Sequence, residues 1–300
     1  MQKNNLKQFV LPLIAAIIWG TAFVAQSKGM DYIGSFTFNA ARGVIASAEL
    51  LIACAVLRRV RTVPERTANR KKYRHDLLLG GVCCGTLLAI ASNLQQFGIN
   101  YTSVSKAGFI TALYIVLVPI FGLVLHKKVR PIVWLSVGIA AVGLYLLSMA
   151  GESGFHLALG DLYVFLCAIV FACHILAVDH FTETVDGIEL SCAQFTVMAI
   201  LSLICTVLFE TVDFGMLVQC LPYVLYVGVF SSGVAYTLQI LAQKDGDPTV
   251  VSLILSMESL FAAVAGAILL HERLSGGEYL GCVLMLAAIV LAQLPEKKRR

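Results

Sequence analysis

Long apolar stretches, separated by short polar ones, run along almost the whole chain. An α-helix that crosses a bilayer needs about 20 consecutive, mostly apolar residues, and ten stretches approach that length. They fall near residues 8–27, 33–57, 77–99, 104–125, 132–150, 160–178, 191–209, 221–242, 250–270 and 277–294. The second contains Arg42 and Glu49, and the ninth contains Glu258. The pattern predicts an all-α membrane protein with ten transmembrane helices.

Composition indicates that lipid is the solvent for most of the chain. Hydrophobic residues make up 59% of it and charged residues 13%, whereas soluble domains have about 25% charged residues. The nine cysteines lie in or beside apolar stretches, without the C-x-x-C spacing of metal sites. No stretch interleaves basic and aromatic residues as a nucleic-acid-binding surface does. We therefore expect membrane lipid as a partner, and neither a metal site nor nucleic-acid binding.

Basic residues are concentrated on one side of the predicted helices. If the N-terminus is cytoplasmic, most of the 22 Lys and Arg residues fall on the cytoplasmic side, many of them in residues 58–74. Only Lys28, Lys106 and Arg273 fall on the other side. Cytoplasmic loops carry the excess of Lys and Arg in membrane proteins. We therefore expect a multi-pass protein of the cytoplasmic (plasma) membrane with both termini in the cytoplasm.

The second half of the chain repeats a part of the first. With one single-residue gap, residues 113–135 (LYIVLVPIFGLVLHKKVRPIVWL) align with residues 257–280 (MESLFAAVAGAILLHERLSGGEYL). Tyr114 then aligns with Glu258, and His126 aligns with His271. Apolar strings often match by chance, but this match includes the polar positions. The alignment predicts that the chain consists of two repeats, residues 1–150 and 151–300, with five helices each.

An odd number of helices per repeat gives the two repeats opposite orientations in the membrane. Inverted repeats of this kind are typical of secondary transporters, which bind substrate near the midplane of the bilayer, between the repeats. The duplication therefore favours a transporter over a membrane protein with another function.

Five segments of the chain carry motifs that belong together. They are WGTAF at 19–23, NAARGV at 39–44, SNLQQFGINYTSVSKAGFITALYIVLVP at 92–119, GDLYVFLCAIVFACHIL at 160–176, and the most specific one, DPTVVSLILSMESLFAAVAGAILLHERLSGGEYLG at 247–281. Together they resemble the EamA family of the drug/metabolite transporter superfamily over nearly the whole chain. The resemblance implies a ten-helix carrier with two inverted five-helix halves, a central cavity and no cofactor. It also implies transport of small metabolites, often amino acids or related compounds, and in many cases export.

The chain departs from the family pattern at two matching positions. The family usually has proline after the Tyr of the fourth helix and after the Glu of the ninth, where this chain has Ile115 and Ser259. Proline is the usual cause of a helix kink. We expect the fold to survive both changes, but any helix kink that the family's mechanism uses at these two places lacks its usual cause here.

Polar side chains within the predicted helices are the candidate substrate-binding residues. An ionised group at the bilayer centre costs about 2.5–3.5 kcal/mol on insertion scales and is a functional candidate by default. At about 1.5 Å per residue, four of the candidates come out near mid-depth. The four are Trp19, Arg42, Tyr114 and Glu258, and the further candidates are Asn93, Gln96 and His174.

Several of these residues have more than one interpretation. Arg42 could bind substrate or form a buried ion pair with Glu258. Glu258 could instead bind an amine or take up a coupling proton. His174 could carry a proton or be a packing residue, and Gln239 could face either the interior or the cytoplasmic interface.

These observations favour a secondary transporter, an exporter or exchanger, of small neutral or zwitterionic metabolites such as amino acids, with protons as a further coupling partner. The intramembrane bases are too few to favour a sugar phosphate with two negative charges. The alternatives are a receptor or scaffold without transport, and an intramembrane enzyme. The chain has no H-E-x-x-H motif and no intramembrane pair of aspartates, so we expect no enzymatic activity. It has no ATP-binding G-x-x-x-x-G-K loop, so we expect no ATP-driven transport by this chain alone. The sequence leaves substrate identity, transport direction and oligomeric state open.

Overall fold

A computed structural model describes residues 2–60, 70–102, 104–126, 129–149, 159–244, 246–269, 275–292 and 294. The described residues form helices and include no β-strand. The helices are α1 (Gln2–Gly29), α2 (Ser35–Val60), α3 (Arg70–Ile99), α4 (Val104–Ala112), α5 (Tyr114–Val124), α6 (Pro131–Met149), α7 (Leu159–Thr182), α8 (Gly187–Phe209), α9 (Phe214–Tyr226), a π-helical segment (Val227–Ala235), α10 (Tyr236–Gln243), α11 (Pro248–Leu255), α12 (Glu258–Leu269) and α13 (Gly276–Ala292). The predicted repeat boundary at residue 150, His271, Arg273 and the basic C-terminal tail lie outside these residues.

Eight helical stretches within the described ranges are long and apolar enough to cross a membrane. Two shorter apolar stretches, Pro131–Leu146 in α6 and Tyr279–Ala292 in α13, complete a set of ten. These ten stretches coincide with the ten predicted segments. The prediction of an all-α, multi-pass membrane protein is therefore confirmed.

Helices at equivalent positions of the two repeats make equivalent contacts. The second span, α2, packs against the seventh, α8, and the fifth span, α6, packs against the tenth, α13. The third span, α3, packs against the sixth, α7. The equivalent contact joins the eighth span, formed by α9, the π-helical segment and α10, to the first span, α1. The two-repeat architecture predicted from the sequence is therefore present.

The fourth and ninth spans are interrupted near their middle. Leu113 separates α4 from α5, and two residues separate α11 from α12. At the breaks, the N–H of Leu113 donates to the carbonyl of Ile110 at 3.2 Å and the N–H of Met257 donates to that of Ile254 at 3.1 Å. These are the tighter i to i−3 bonds of a 3₁₀ turn. The spans are thus broken although the prolines usual in the family are missing.

Close packing of the first span fixes the position of the second break. Gly20 of α1 faces the beginning of α12, where an added Cβ would lie 2.7 Å from the carbonyl oxygen of Glu258. Only a residue without a side chain allows this approach. The contact brings Trp19, one residue earlier, to the same level of the bilayer as Glu258.

Candidate functional site

A cavity lies between the two repeats, at the level of the helix breaks. Helices α1 to α5 contribute to its wall from the first repeat, and α7, the π-helical segment and α10 to α12 contribute from the second. The cavity has a volume of about 40 Å³, which is room for about three waters at about 10–15 Å³ each. The polar side chains of the wall are Trp19, Gln26, Arg42, Gln95, Thr111, Tyr114, Ser231, Tyr236, Gln239 and Glu258.

Arg42 places a permanent positive charge at this cavity. Its side chain is only 2% exposed, and its Nη1 donates to Oε1 of Gln26 at 3.1 Å. Its Nε is buried without a partner among the described residues. A guanidinium has five N–H donors and stays charged in proteins. Most of these donors therefore have no protein partner within the described part of the chain.

Glu258, the first residue of α12, lies on the same cavity and is 4% exposed. The hydroxyl of Tyr114 donates to its Oε1 at 3.1 Å, and its Oε2 has no hydrogen bond within the described part of the chain. Tyr114 is the residue that aligns with Glu258 in the first repeat. The hydrogen bond therefore joins equivalent positions of the two repeats across the cavity.

Arg42 and Glu258 do not form the ion pair that the sequence left open, and this alternative is wrong. Both residues are described, yet each bonds a neutral partner, Gln26 or Tyr114, and no ion pair joins them. The two opposite charges thus stand apart on the wall of one cavity. Such an arrangement can bind the two charged ends of a zwitterion separately.

Trp19 and Tyr236 form an aromatic part of the wall. Their ring centroids are 4.7 Å apart, with an angle of 59° between the planes. The indole N–H of Trp19 donates to the carbonyl oxygen of Ser231, in the π-helical segment, at 3.2 Å. This bond fixes the orientation of the indole ring. The wall can therefore offer a rigid apolar surface beside the two charges.

Asn93 and Gln96, two of the predicted residues, lie behind the cavity wall. Asn93 accepts a hydrogen bond from Asn39 at 2.8 Å and donates to the hydroxyl of Ser202 at 3.2 Å. Gln96 donates to the backbone carbonyl of Gln26 at 3.2 Å. Both therefore connect helices in this structure, and Gln96 supports the residue that holds Arg42.

His174 also lies behind the wall. Its Nε2 is 2.9 Å from Oε1 of Gln194, and its ring is edge-on to Tyr236 at a centroid distance of 6.2 Å. The residue is buried and does not line the cavity. A direct role of His174 in binding or proton transfer stays a prediction.

Several wall residues are not among the predicted site residues. Gln95, rather than its neighbour Gln96, lines the cavity, as do Gln26 and Tyr236. Gln239, for which two positions were open, is buried and on the wall. The sequence alone could have indicated Gln26, because this residue lies seven positions after Trp19 and therefore on the same face of α1.

Comparisons with known proteins agree with this architecture. A family model described as the EamA-like transporter family matches residues 7–149 and again residues 158–294. An uncharacterized transporter from Archaeoglobus fulgidus is 29% identical over 94% of this chain and 84% of its own length. Another, YwfM from Bacillus subtilis, is 26% identical over 100% of this chain and 97% of its own length. These matches point to a membrane transporter rather than an enzyme.

A solved structure shares the fold. It superposes with a TM-score of 0.75, covers 95% of this chain and 96% of its own, and is 18% identical in sequence. The family match includes both repeats, and the cavity lies where the two repeats meet. The chain belongs to the EamA-like transporter family.

Proposed function

We propose that this protein is a secondary transporter that carries small zwitterionic metabolites, such as amino acids, across the cytoplasmic membrane as an exporter or exchanger. One observation carries the proposal: the cavity has a buried cation, Arg42, and a buried carboxylate, Glu258, that are not paired with each other. Each intramembrane charge costs about 2.5–3.5 kcal/mol on insertion scales. A ligand with a carboxylate and an ammonium group compensates both charges at once.

In this proposal each end of the substrate has its own partner. The free donors of Arg42 bind the carboxylate, where a guanidinium can make two parallel hydrogen bonds. Glu258 accepts hydrogen bonds from the ammonium group through Oε2, while Tyr114 holds Oε1. The aromatic rings of Trp19 and Tyr236 contact the rest of the molecule. Compounds with two negative charges are excluded because Glu258 repels the second charge.

The position of the cavity supports transport rather than signalling. It lies between two repeats and beside two broken helices, the arrangement in which inverted-repeat transporters bind substrate. Movement of one repeat against the other would open the cavity to one side of the membrane at a time. With the basic loops in the cytoplasm, both termini face the cytoplasm as well.

Binding can be tested with the fluorescence of Trp19. The chain has two tryptophans, so the variant Trp134→Phe leaves Trp19 as the only indole reporter. We expect alanine to change this fluorescence, and alaninamide and propionate, which lack the carboxylate or the ammonium group, to bind at least tenfold more weakly. Equal binding of all three compounds would contradict the zwitterion proposal.

Transport is tested by exchange in proteoliposomes. We expect protein-dependent exchange of radiolabelled glycine, alanine or serine against the unlabelled compound. The variant Lys28→Gln, which changes a charge that is exposed and outside the cavity, serves as the control and should exchange normally. If no zwitterion, sugar, nucleoside or amine is exchanged, a receptor without transport is the better explanation.

A further inference from the structure

Glu49 is a second carboxyl group within a membrane-spanning helix, and the proposed substrate site does not use it. It lies on α2, seven residues or about 10 Å along the helix from Arg42, and it is not on the cavity wall. Its Oε2 is buried and has no partner among the described residues. A carboxylate in such a place is costly, so its presence requires an explanation.

The Glu49 side chain fits against a glycine of the π-helical segment. A Cβ at residue 233 would overlap the Glu49 carboxylate, so the missing side chain of Gly233 provides the space that the carboxyl occupies. Ile45, one turn earlier on α2, meets Gly228 in the same way. The two contacts are thus four residues apart on α2 and five residues apart on the π-helical segment, because a π-helical turn contains more residues than an α-helical turn. Such segments are frequent at functional sites.

The helix register shows what surrounds this carboxyl. Helices α2 and α8 are antiparallel, and Gly43 lies beside Ala199, so Glu49 is level with residue 193.

Few ionisable residues of the packed elements lie near this level. They are Cys83 and Cys84 of α3 and Glu189 and Cys192 of α8. The π-helical segment has none, and α9 has only Cys220 and two tyrosines nearer its outer end. None of these described elements places a Lys, Arg or His at this level.

An ionised carboxylate with neither a cation nor a hydrogen-bond donor nearby is poorly solvated in a membrane, whereas a protonated carboxyl is neutral and far less costly there. Glu258 differs in that Tyr114 donates a hydrogen bond to it, whereas Oε2 of Glu49 is buried without a donor among the described residues. Glu49 belongs to the first repeat and Gly233 to the second, so movement between the repeats changes their contact. Such movement would give the carboxyl access to water, to which it could lose its proton.

We propose that Glu49 is the proton-carrying residue that couples transport to a proton gradient. It holds a proton while packed against Gly233 and gives that proton to water when the repeats move apart. The inference rests on the proposed function, and it assigns substrate binding to Glu258 and proton coupling to Glu49.

The coupling is tested in proteoliposomes with radiolabelled alanine. Wild-type protein should accumulate alanine when a pH gradient is imposed. Glu49→Gln should still exchange labelled for unlabelled alanine at a rate within twofold of wild type, but should lose gradient-driven accumulation. Glu49→Asp, which keeps a titratable carboxyl, should retain part of the accumulation. The matched control is Glu183→Gln, an exposed acid at the end of α7, which should behave like wild type.

The outcomes separate this inference from the proposed function. Unchanged accumulation by Glu49→Gln overturns the inference and leaves the transporter intact. Exchange by wild type with no response to a pH gradient does the same. A wild-type protein that neither binds nor exchanges any zwitterion overturns the proposed function itself.

A second measurement needs no substrate. Dicyclohexylcarbodiimide enters membranes and adds to protonated carboxyl groups, and the adduct rearranges to a stable N-acylurea without a leaving group. We expect an adduct at Glu49 in reconstituted protein, detected by mass spectrometry, with a yield that falls as the pH rises. No adduct at Glu49 in acidic buffer, or a yield independent of pH, would contradict a proton-carrying role.

Discussion

At the residue scale, the site depends on two charges that are held apart by neutral partners. Gln26 binds Arg42, and Tyr114 binds Glu258. These partners satisfy only part of the hydrogen-bonding capacity of each charge, since Arg42 Nε has no partner within the described chain. Buried polar groups without partners are rare in proteins and call for a ligand, a water or an ion. The unsatisfied atoms therefore mark where substrate is expected.

We expect Glu258→Gln to reduce transport strongly and to leave expression intact. The amide has nearly the same shape, but it removes the charge that compensates the ammonium group. A hydrogen bond to a charged group contributes about 1.5–3 kcal/mol, so alanine should bind about 10- to 100-fold more weakly. Trp19 fluorescence gives the affinity, and size-exclusion chromatography gives the amount of folded protein. Normal uptake or efflux by this variant would end the proposed role of Glu258.

Tyr114→Phe removes only the hydroxyl that holds Glu258. The ring and its packing remain, so we expect the fold to be retained and the affinity for alanine to fall by about tenfold, for a loss of about 1.5 kcal/mol. The same fluorescence titration measures the effect. Tyr101→Phe is a suitable control, because Tyr101 is 58% exposed and away from the cavity. If both substitutions have the same effect, Tyr114 does not position Glu258.

The charged residues of the cavity wall could be predicted from the sequence, but the choice between two adjacent glutamine residues could not. A charge in an apolar stretch is visible without a structure, which is why Arg42 and Glu258 could be predicted. Gln95 and Gln96 are adjacent, so they point in different directions from α3, and only the packing of neighbouring helices decides which one lines the cavity.

At the element scale, two features could not be read from local sequence. The breaks after α4 and α11 occur without the prolines that usually cause them. The π-helical segment has no distinctive residue pattern. Its role in packing becomes apparent only from the contacts of Gly228 and Gly233 with α2. Both features depend on tertiary packing, which overrides local preference. The ten apolar stretches, by contrast, follow directly from the requirement of the bilayer for length and apolarity.

We expect Gly233→Ala to destabilise the protein through its overlap with Glu49. Overpacking typically costs about 1–3 kcal/mol, which should appear as a Tm several degrees lower for the purified protein. Gly138→Ala is the matched control, because a Cβ at Gly138 meets nothing within 4 Å. The double variant Gly233→Ala with Glu49→Ala should recover most of the loss. A double variant no more stable than Gly233→Ala alone would show that the strain lies elsewhere.

At the scale of the whole molecule, the two-repeat plan could be predicted because polar positions repeat along with apolar ones. The alignment of Tyr114 with Glu258 is the clearest case, since these residues meet across the cavity. That Arg42 and Glu258 lie on one cavity without pairing could not be predicted, because it depends on how the repeats pack. The same packing joins α2 to α8 through Glu210, which accepts hydrogen bonds from the backbone N–H groups of Phe36 and Thr37 at 2.9 and 2.8 Å.

The inverted arrangement makes a direct prediction about topology. Five spans separate equivalent positions of the two repeats, and ten spans put both termini on one side of the membrane. In a variant without the native cysteines, we expect Arg70→Cys and Lys298→Cys to react with an impermeant maleimide only after the cells are permeabilised. Thr211→Cys, in the exposed connection between α8 and α9, should react in intact cells. If the first two cysteines are labelled from opposite sides, the number of spans between them is odd, and the two repeats cannot be inverted copies with a shared cavity.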